Sequence, residues 1–115
     1  MPPDAVSRVL RAVHERPERE LWHFDVERID ADGRLLRREP AFPSLLSARA
    51  FAQARLAQTL SSFAPDYVFS RAAWDRSGGF VNFPRAWCAD DATWIALAAR
   101  GGIGTLPGAP VQWRE

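Results

Sequence analysis

Apolar positions along the chain fall into short groups, and their period changes from one group to the next. After Pro2-Pro3-Asp4, the residues Val6, Val9, Leu10 and Val13 recur at i, i+3, i+4 and i+7. That spacing lays all four on one stripe of a helix, and proline just before it costs little because its missing N–H would be unpaired there anyway. The arginines and glutamates over 11–20 read as the solvated face and its exit. Residues 21–26, Leu-Trp-His-Phe-Asp-Val, read as a strand. A turn with Asp32-Gly33 at its tip follows, leading into a second extended stretch.

Pro40 and Pro43 mark a loop, and the alanine- and leucine-rich run over 44–60, with Phe51 among its apolar residues, predicts a second helix. Tyr67-Val68-Phe69 reads as a short buried strand. Ser70 is placed to cap a brief helix over 71–76, which Gly78-Gly79 stops. Residues 80–88 predict no regular element. Asp90 or Asp91 is expected to cap a third long helix that ends at Arg100 and is broken by Gly101-Gly102. Two short strands, 103–106 and 109–113, then flank Pro107-Gly108.

Helices alternating with short strands predict an α/β class: one domain over 1–115, with three main helices and a small mixed sheet. Only two or three strands are apolar enough to be central. So small a sheet suggests that partner strands are missing, and both ends of the chain look cut.

Composition narrows the function classes. At 115 residues the chain suits one domain, and 47% apolar with 25% charged residues is ordinary for a globular protein. A net charge of +1 makes no electrostatic case for nucleic acid or an anionic membrane. All its basic residues are arginine, which reads first as base composition. No apolar run approaches the roughly 20 residues of a membrane span, and no signal-peptide core is visible. One cysteine, Cys88, excludes an internal disulfide framework and suits a reducing compartment. The expected location is the cytoplasm, free or peripheral to the inner face of the membrane.

The chemistry concentrates in two segments. The first is Phe69-Ser70-Arg71-Ala72-Ala73-Trp74-Asp75-Arg76-Ser77-Gly78-Gly79-Phe80, and the second is Ala86-Trp87-Cys88-Ala89-Asp90-Asp91-Ala92-Thr93-Trp94. Two adjacent carboxylates at a helix N-terminus are stabilised as anions by the helix dipole. One is free to cap the helix and the other to point into a cleft. The bland reading is a cap with a solvated neighbour.

These segments resemble family 2 glycosyltransferases of the GT-A fold. In that family an Arg-x-x-aromatic-x-x-x-Gly-Gly-Phe segment precedes an acidic pair at the start of a helix. Arg71, Trp74, Gly78, Gly79 and Phe80 match the first motif, and Asp90-Asp91 match the pair. Weaker collinear matches are Pro3-Asp4-Ala5-Val6, the Ile29-Asp30-Ala31-Asp32-Gly33 turn, and Val111-Gln112-Trp113-Arg114.

The resemblance implies a partial GT-A fold, the acceptor-side part of a catalytic domain. It implies transfer of a sugar from a nucleotide-sugar donor to an acceptor hydroxyl, with inversion. The second carboxylate, Asp91, takes the role of catalytic base, since such a transfer needs a group to accept the hydroxyl proton. Asp90, Trp87, Trp94 and Arg85 are expected around the acceptor sugar or glycan, the tryptophans offering faces for stacking. Arg85 either contacts a phosphate or pairs with Asp90.

The resemblance also implies a divalent metal, Mg or Mn, and a nucleotide sugar in the intact enzyme. In the family's order the Asp-x-Asp metal motif precedes the Pro-Asp-Ala helix, so the nucleotide-binding half is expected upstream and neither group is expected to bind well to this chain alone. Asp30 and Asp32 form the chain's own Asp-x-Asp, but Gly33 and the polar Glu27-Arg28 before them read as a hairpin turn.

His14 is expected at the surface, His23 within a strand, and Cys88 as a small buried residue. Gly101-Gly102-Ile103-Gly104 follows a helix and reads as a stop, not a phosphate loop. Two other functions fit the same residues. One is a binding module that holds a sugar or peptide without turnover; the other is a structural piece that works only with a separate nucleotide-binding chain. The isolated chain is expected to expose an apolar sheet edge and to associate.

Overall fold

The computed structural model describes all 115 residues. It is an α/β fold of four α-helices and a five-stranded mixed sheet. In chain order these are α1 (Ala5–Glu15), β1 (Leu21–Ile29), β2 (Leu35–Arg38), β3 (Leu45–Leu46) and α2 (Ala48–Leu56). They are followed by β4 (Tyr67–Phe69), α3 (Arg71–Ser77), α4 (Ala89–Leu97) and β5 (Ile103–Arg114). No helix is long and apolar enough to cross a membrane.

β1 is the hub. On one side it runs parallel to β5, from Leu21 opposite Ile103 to Ile29 opposite Arg114. Its other edge is shared by two antiparallel partners, β4 along residues 21–23 and β2 along residues 27–29. β3 closes the far side against β5.

Both faces of β1 are covered, so its first four residues are all buried instead of alternating with polar ones. Leu21 packs with Phe51, Tyr67, Trp94, Leu97 and Ile103 on the face covered by α2, α3 and α4. Trp22 and Phe24 pack with Ala5, Ala12, Leu106 and Val111 beneath α1. Gly104 lies opposite Trp22, and a Cβ there would meet the indole at 2.5 Å, so this position is glycine for space.

The Asp-Gly hairpin is present. The Asp30 carboxylate accepts from the N–H groups of Asp32 and Arg34, and Gly33 takes φ +84°. The two short strands flanking Pro107-Gly108 are both there, but β1 pairs with them as one strand. Phe24 faces Leu106 and Val26 faces Val111, so residues 107–110 are pushed out as a bulge. Gly78, at φ +83°, ends α3 by donating to the Trp74 carbonyl.

Several expectations fail. There are four α-helices against three main helices read from the sequence; the fourth is α3, the brief helix also read over 71–76. α1 is turned the other way round: Val6 and Leu10 are exposed at 73% and 65%, and Ala5, Arg8 and Ala12 face the sheet. The small alanines let the helix lie close. The buried Arg8 guanidinium donates to the carbonyls of Leu106 and Ala109 and stacks over Phe24, satisfying backbone that the bulge leaves unpaired.

The run over 44–60 is not one helix. Leu45-Leu46 pairs with β5, and α2 begins only after Ser47, whose hydroxyl accepts from the Ala50 N–H. At α4 the cap position is Cys88, in left-handed backbone with no side-chain cap bond, while Asp90 and Asp91 sit in the first turn. Cys88 is exposed, not buried.

Candidate functional site

Three elements bring the two motif segments together. Ser70 caps α3 by accepting from the Ala73 N–H, and Arg71 pairs with Asp75 along its exposed side. α3 lays Trp74 against Phe69, ring centroids 5.4 Å apart and nearly parallel. The Gly78-Gly79 turn then reverses the chain, so that Phe80 meets the Trp74 ring edge-on at 4.4 Å. A Cβ on Gly79 would come within 3.2 Å of that indole. The Val81 N–H donates to the Thr93 hydroxyl, which donates in turn to the Ala89 carbonyl of α4. One buried threonine thus ties the glycine turn to the helix bearing the acidic pair.

Trp94, expected at the acceptor, is instead in the core. It is 2% exposed and stacks on Tyr67 with centroids 4.4 Å apart. It follows Thr93 on the inward side of α4, and the aromatic cluster behind the glycine turn needs its ring as the floor. It offers no face to a ligand. Trp87 is 77% exposed, and Arg85 is exposed without an ion pair to Asp90 or any other group. Asp90 is exposed on the first turn of α4.

Asp91 points the other way, toward α2. Arg55 donates from Nε to both of its carboxylate oxygens, at 3.1 and 3.0 Å, and from Nη1 to the Leu60 carbonyl. Beside this pair lies a cleft of about 610 Å³ between the C-terminal end of α2 and the N-terminal end of α4. Its walls are mainly apolar, with Leu56, Leu60, Phe83 and Ile95 among them, and Cys88, Gln58 and Ser61 supply polar edges. Gln58 and Cys88 both stand in left-handed backbone, as do Arg85 and Ala86, at a cost of about 1–2 kcal/mol for each non-glycine residue.

Arg55 and Phe83 escape a sequence reading. Arg55 lies 36 residues from Asp91, and only the packing of α2 on α4 makes them neighbours. The one available signal is a basic side chain placed between Ala52 and Leu56 on a helix whose inward residue is Phe51.

Metal chemistry finds no support among the side chains. No group of three or more His, Cys, Asp or Glu residues is placed to hold a metal ion. The Asp30 and Asp32 carboxylates are occupied by the hairpin's own backbone and by Arg34.

Two buried ionisable groups lie apart from the cleft. His23 stacks on Phe42 at 3.8 Å with both ring nitrogens unpaired, and burial lowers its pKa from 6.5 to about 3. Asp66 is wholly buried with no well-formed hydrogen bond to either oxygen, and burial raises its pKa from 3.8 to about 7, opposed only by the backbone of Phe63. Glu39 is the opposite case. Arg37, Ser61 and Arg28 all donate to its buried carboxylate and hold its pKa at about 2, against the desolvation that opposes them.

Compared with protein-family models and with curated proteins, the chain gives no match.

Proposed function

We propose that the chain is the acceptor-side part of a glycosyltransferase catalytic domain of the family 2, GT-A type. In this reading it acts in transfer of a sugar from a nucleotide-sugar donor to an acceptor hydroxyl, with inversion. The observation that carries the reading is the convergence of the two motif segments. Thr93 joins the Gly-Gly-Phe turn to α4, and the first turn of α4 presents Asp91 at the cleft of about 610 Å³ beside α2.

Asp91 is the proposed base. A carboxylate at a cleft wall can take the proton of a hydroxyl seated within hydrogen-bond reach, a contribution of about 10²–10⁴ in rate. Phe83 and Leu56 take over the stacking role expected of Trp94. The side chains present form no group of three or more His, Cys, Asp or Glu that would suit the divalent metal such enzymes use. Metal and nucleotide sugar belong, in this reading, to a separate nucleotide-binding half. The apolar outer side of α1, with Met1, Val6 and Leu10 exposed beside Val9, Phe24 and Val68, supports further protein packing there. A location in the cytoplasm or at the inner membrane face goes with this reading.

The test is transfer by the intact enzyme, with its nucleotide-binding half present. Asp91→Asn is expected to abolish transfer while sparing donor binding, since it removes basicity and little volume. Near-wild-type turnover by that variant overturns the assignment. The chain alone is expected to transfer no sugar, and measurable turnover by it refutes the division of labour.

The ion pair itself favours a second reading. Arg55 engages both oxygens of Asp91, which suits a module that holds a carbohydrate without turnover. Saccharide binding that persists in the absence of any nucleotide, with no transfer in the intact protein, selects it.

A further inference from the structure

We infer that the cleft between α2 and α4 is a site for an uncharged saccharide, in which Arg55 and Asp91 act together as a clamp on adjacent hydroxyl groups. The choice of a saccharide rests on the acceptor reading above; the claim that the ligand is neutral and held by both members of the pair rests on the cleft.

The chemistry of the wall sets the ligand's polarity. Arg55 and Asp91 neutralise one another, and no other charged side chain lines the cleft. An anion there must take Arg55 from its carboxylate, and a cation must take Asp91 from its guanidinium. Either leaves one charge half-buried without its partner, which is costly. A hydroxyl group makes no such demand, because it both donates and accepts.

The pair has capacity left for such a group. Arg55 uses Nε on both carboxylate oxygens and Nη1 on the Leu60 carbonyl, while Nη2 makes no hydrogen bond. Each carboxylate oxygen retains a further lone pair. Donor and acceptor therefore stand side by side, matching two neighbouring hydroxyls of one sugar ring. The side chains keep 28% and 21% exposure, enough to meet a ligand. Phe83 and Leu56, 42% and 86% exposed, supply the apolar surface on which the C–H face of such a ring rests.

The full chain, labelled with ¹⁵N, is titrated with methyl glycosides of glucose, galactose and mannose, then with glucose 6-phosphate and glucosamine. At least one methyl glycoside is expected to shift the Arg55 Nε–H and the amides of Leu60, Phe83 and Asp91. The charged sugars are expected to bind the cleft at least tenfold more weakly. Arg55→Gln and Asp91→Asn should each weaken the glycoside about tenfold, the loss of one or two hydrogen bonds. Phe83→Ala, at an exposed position, should weaken it without changing the unfolding temperature, which keeps the test open if the pair variants unfold.

Tighter binding of glucose 6-phosphate through Arg55, or of glucosamine through Asp91, overturns the neutral site. Shifts in the cleft with none of the three glycosides overturn it as well. A glycoside that binds here while Asp91→Asn leaves transfer by the intact enzyme unchanged removes the proposed base and keeps the clamp.

Discussion

Asp66 and His23 should cancel one another in the pH dependence of stability, and removing either should unmask the other. Asp66 has no well-formed hydrogen bond, and burial lifts its pKa from 3.8 to about 7 against a smaller opposing effect of the Phe63 backbone. A carboxyl raised in this way stabilises the fold at low pH and loses that contribution as pH climbs toward 7, because the unfolded chain gives up its proton first. His23 works in the opposite sense. Its pKa falls from 6.5 to about 3, so the unfolded chain takes up a proton that the folded chain refuses, and stability falls as pH drops below 6.5.

Between pH 5 and 6.5 the two effects have opposite slopes, each up to about 1.4 kcal/mol per pH unit. Over that interval each amounts to about 2 kcal/mol, and the wild-type chain should change little. Glu39 stays clear of the window, since it titrates from an ordinary 4.5 to about 2. Urea unfolding at pH 5, 5.5, 6 and 6.5 measures the effect. Asp66→Asn should gain about 2 kcal/mol across the window as pH rises, and His23→Phe should lose a similar amount. The readout is a slope, so any constant cost of the substituted side chain drops out. An Asp66→Asn profile as flat as the wild type would falsify the neutral, buried state assigned to Asp66.

Two further substitutions test the frame that positions the cleft. Gly104→Ala puts a Cβ 2.5 Å from the Trp22 indole, which is 4% exposed and has no room to turn aside, so a loss of about 1–3 kcal/mol is expected in urea unfolding; an unchanged midpoint refutes the close packing of β5 on β1. Thr93→Val keeps the shape but removes the bonds to Val81 and Ala89, and about 1–3 kcal/mol should be lost by leaving the Val81 N–H unpaired. Amide exchange in that variant should quicken at Val81 and around the glycine turn more than in β1, and uniform protection would refute the tie.

What was legible in the sequence is what depends on local chemistry. The Asp30–Arg34 hairpin, the Ser70 cap, the glycine stop after α3 and the paired strands of β5 all follow from residues within a few positions of one another. The errors come where distant elements decide. The stripe of Val6, Val9, Leu10 and Val13 has a sound helical period, and period alone cannot tell which side meets the sheet. The carbonyls freed by the bulge at 107–110, about a hundred residues away, draw Arg8 inward and leave Val6, Leu10 and Val13 exposed, with only Val9 still packed on the core. Leu45 and Leu46 have the composition of the helix that follows them, yet β5 offers an edge at Gly104 and Ile103, and pairing there prevails.

The site divides along the same line. The place of Asp91 in the first turn of α4 was legible because an acidic dipeptide at a helix start is a local signal, and the glycine turn is equally local. Trp94 was misplaced because sequence gives its distance from Asp91 and not its direction: three residues along a helix is close to one turn, but Thr93 and the aromatic cluster fix Trp94 inward while Asp91 lies to the side facing α2. Arg55 was invisible because its partner is remote in sequence. Its meeting with Asp91 exists only once Phe51 and Ile95 have packed α2 against α4, so the polar pair at the cleft is a product of the core beneath it. Any substitution that shifts that helix contact should therefore disturb the cleft before it disturbs the sheet.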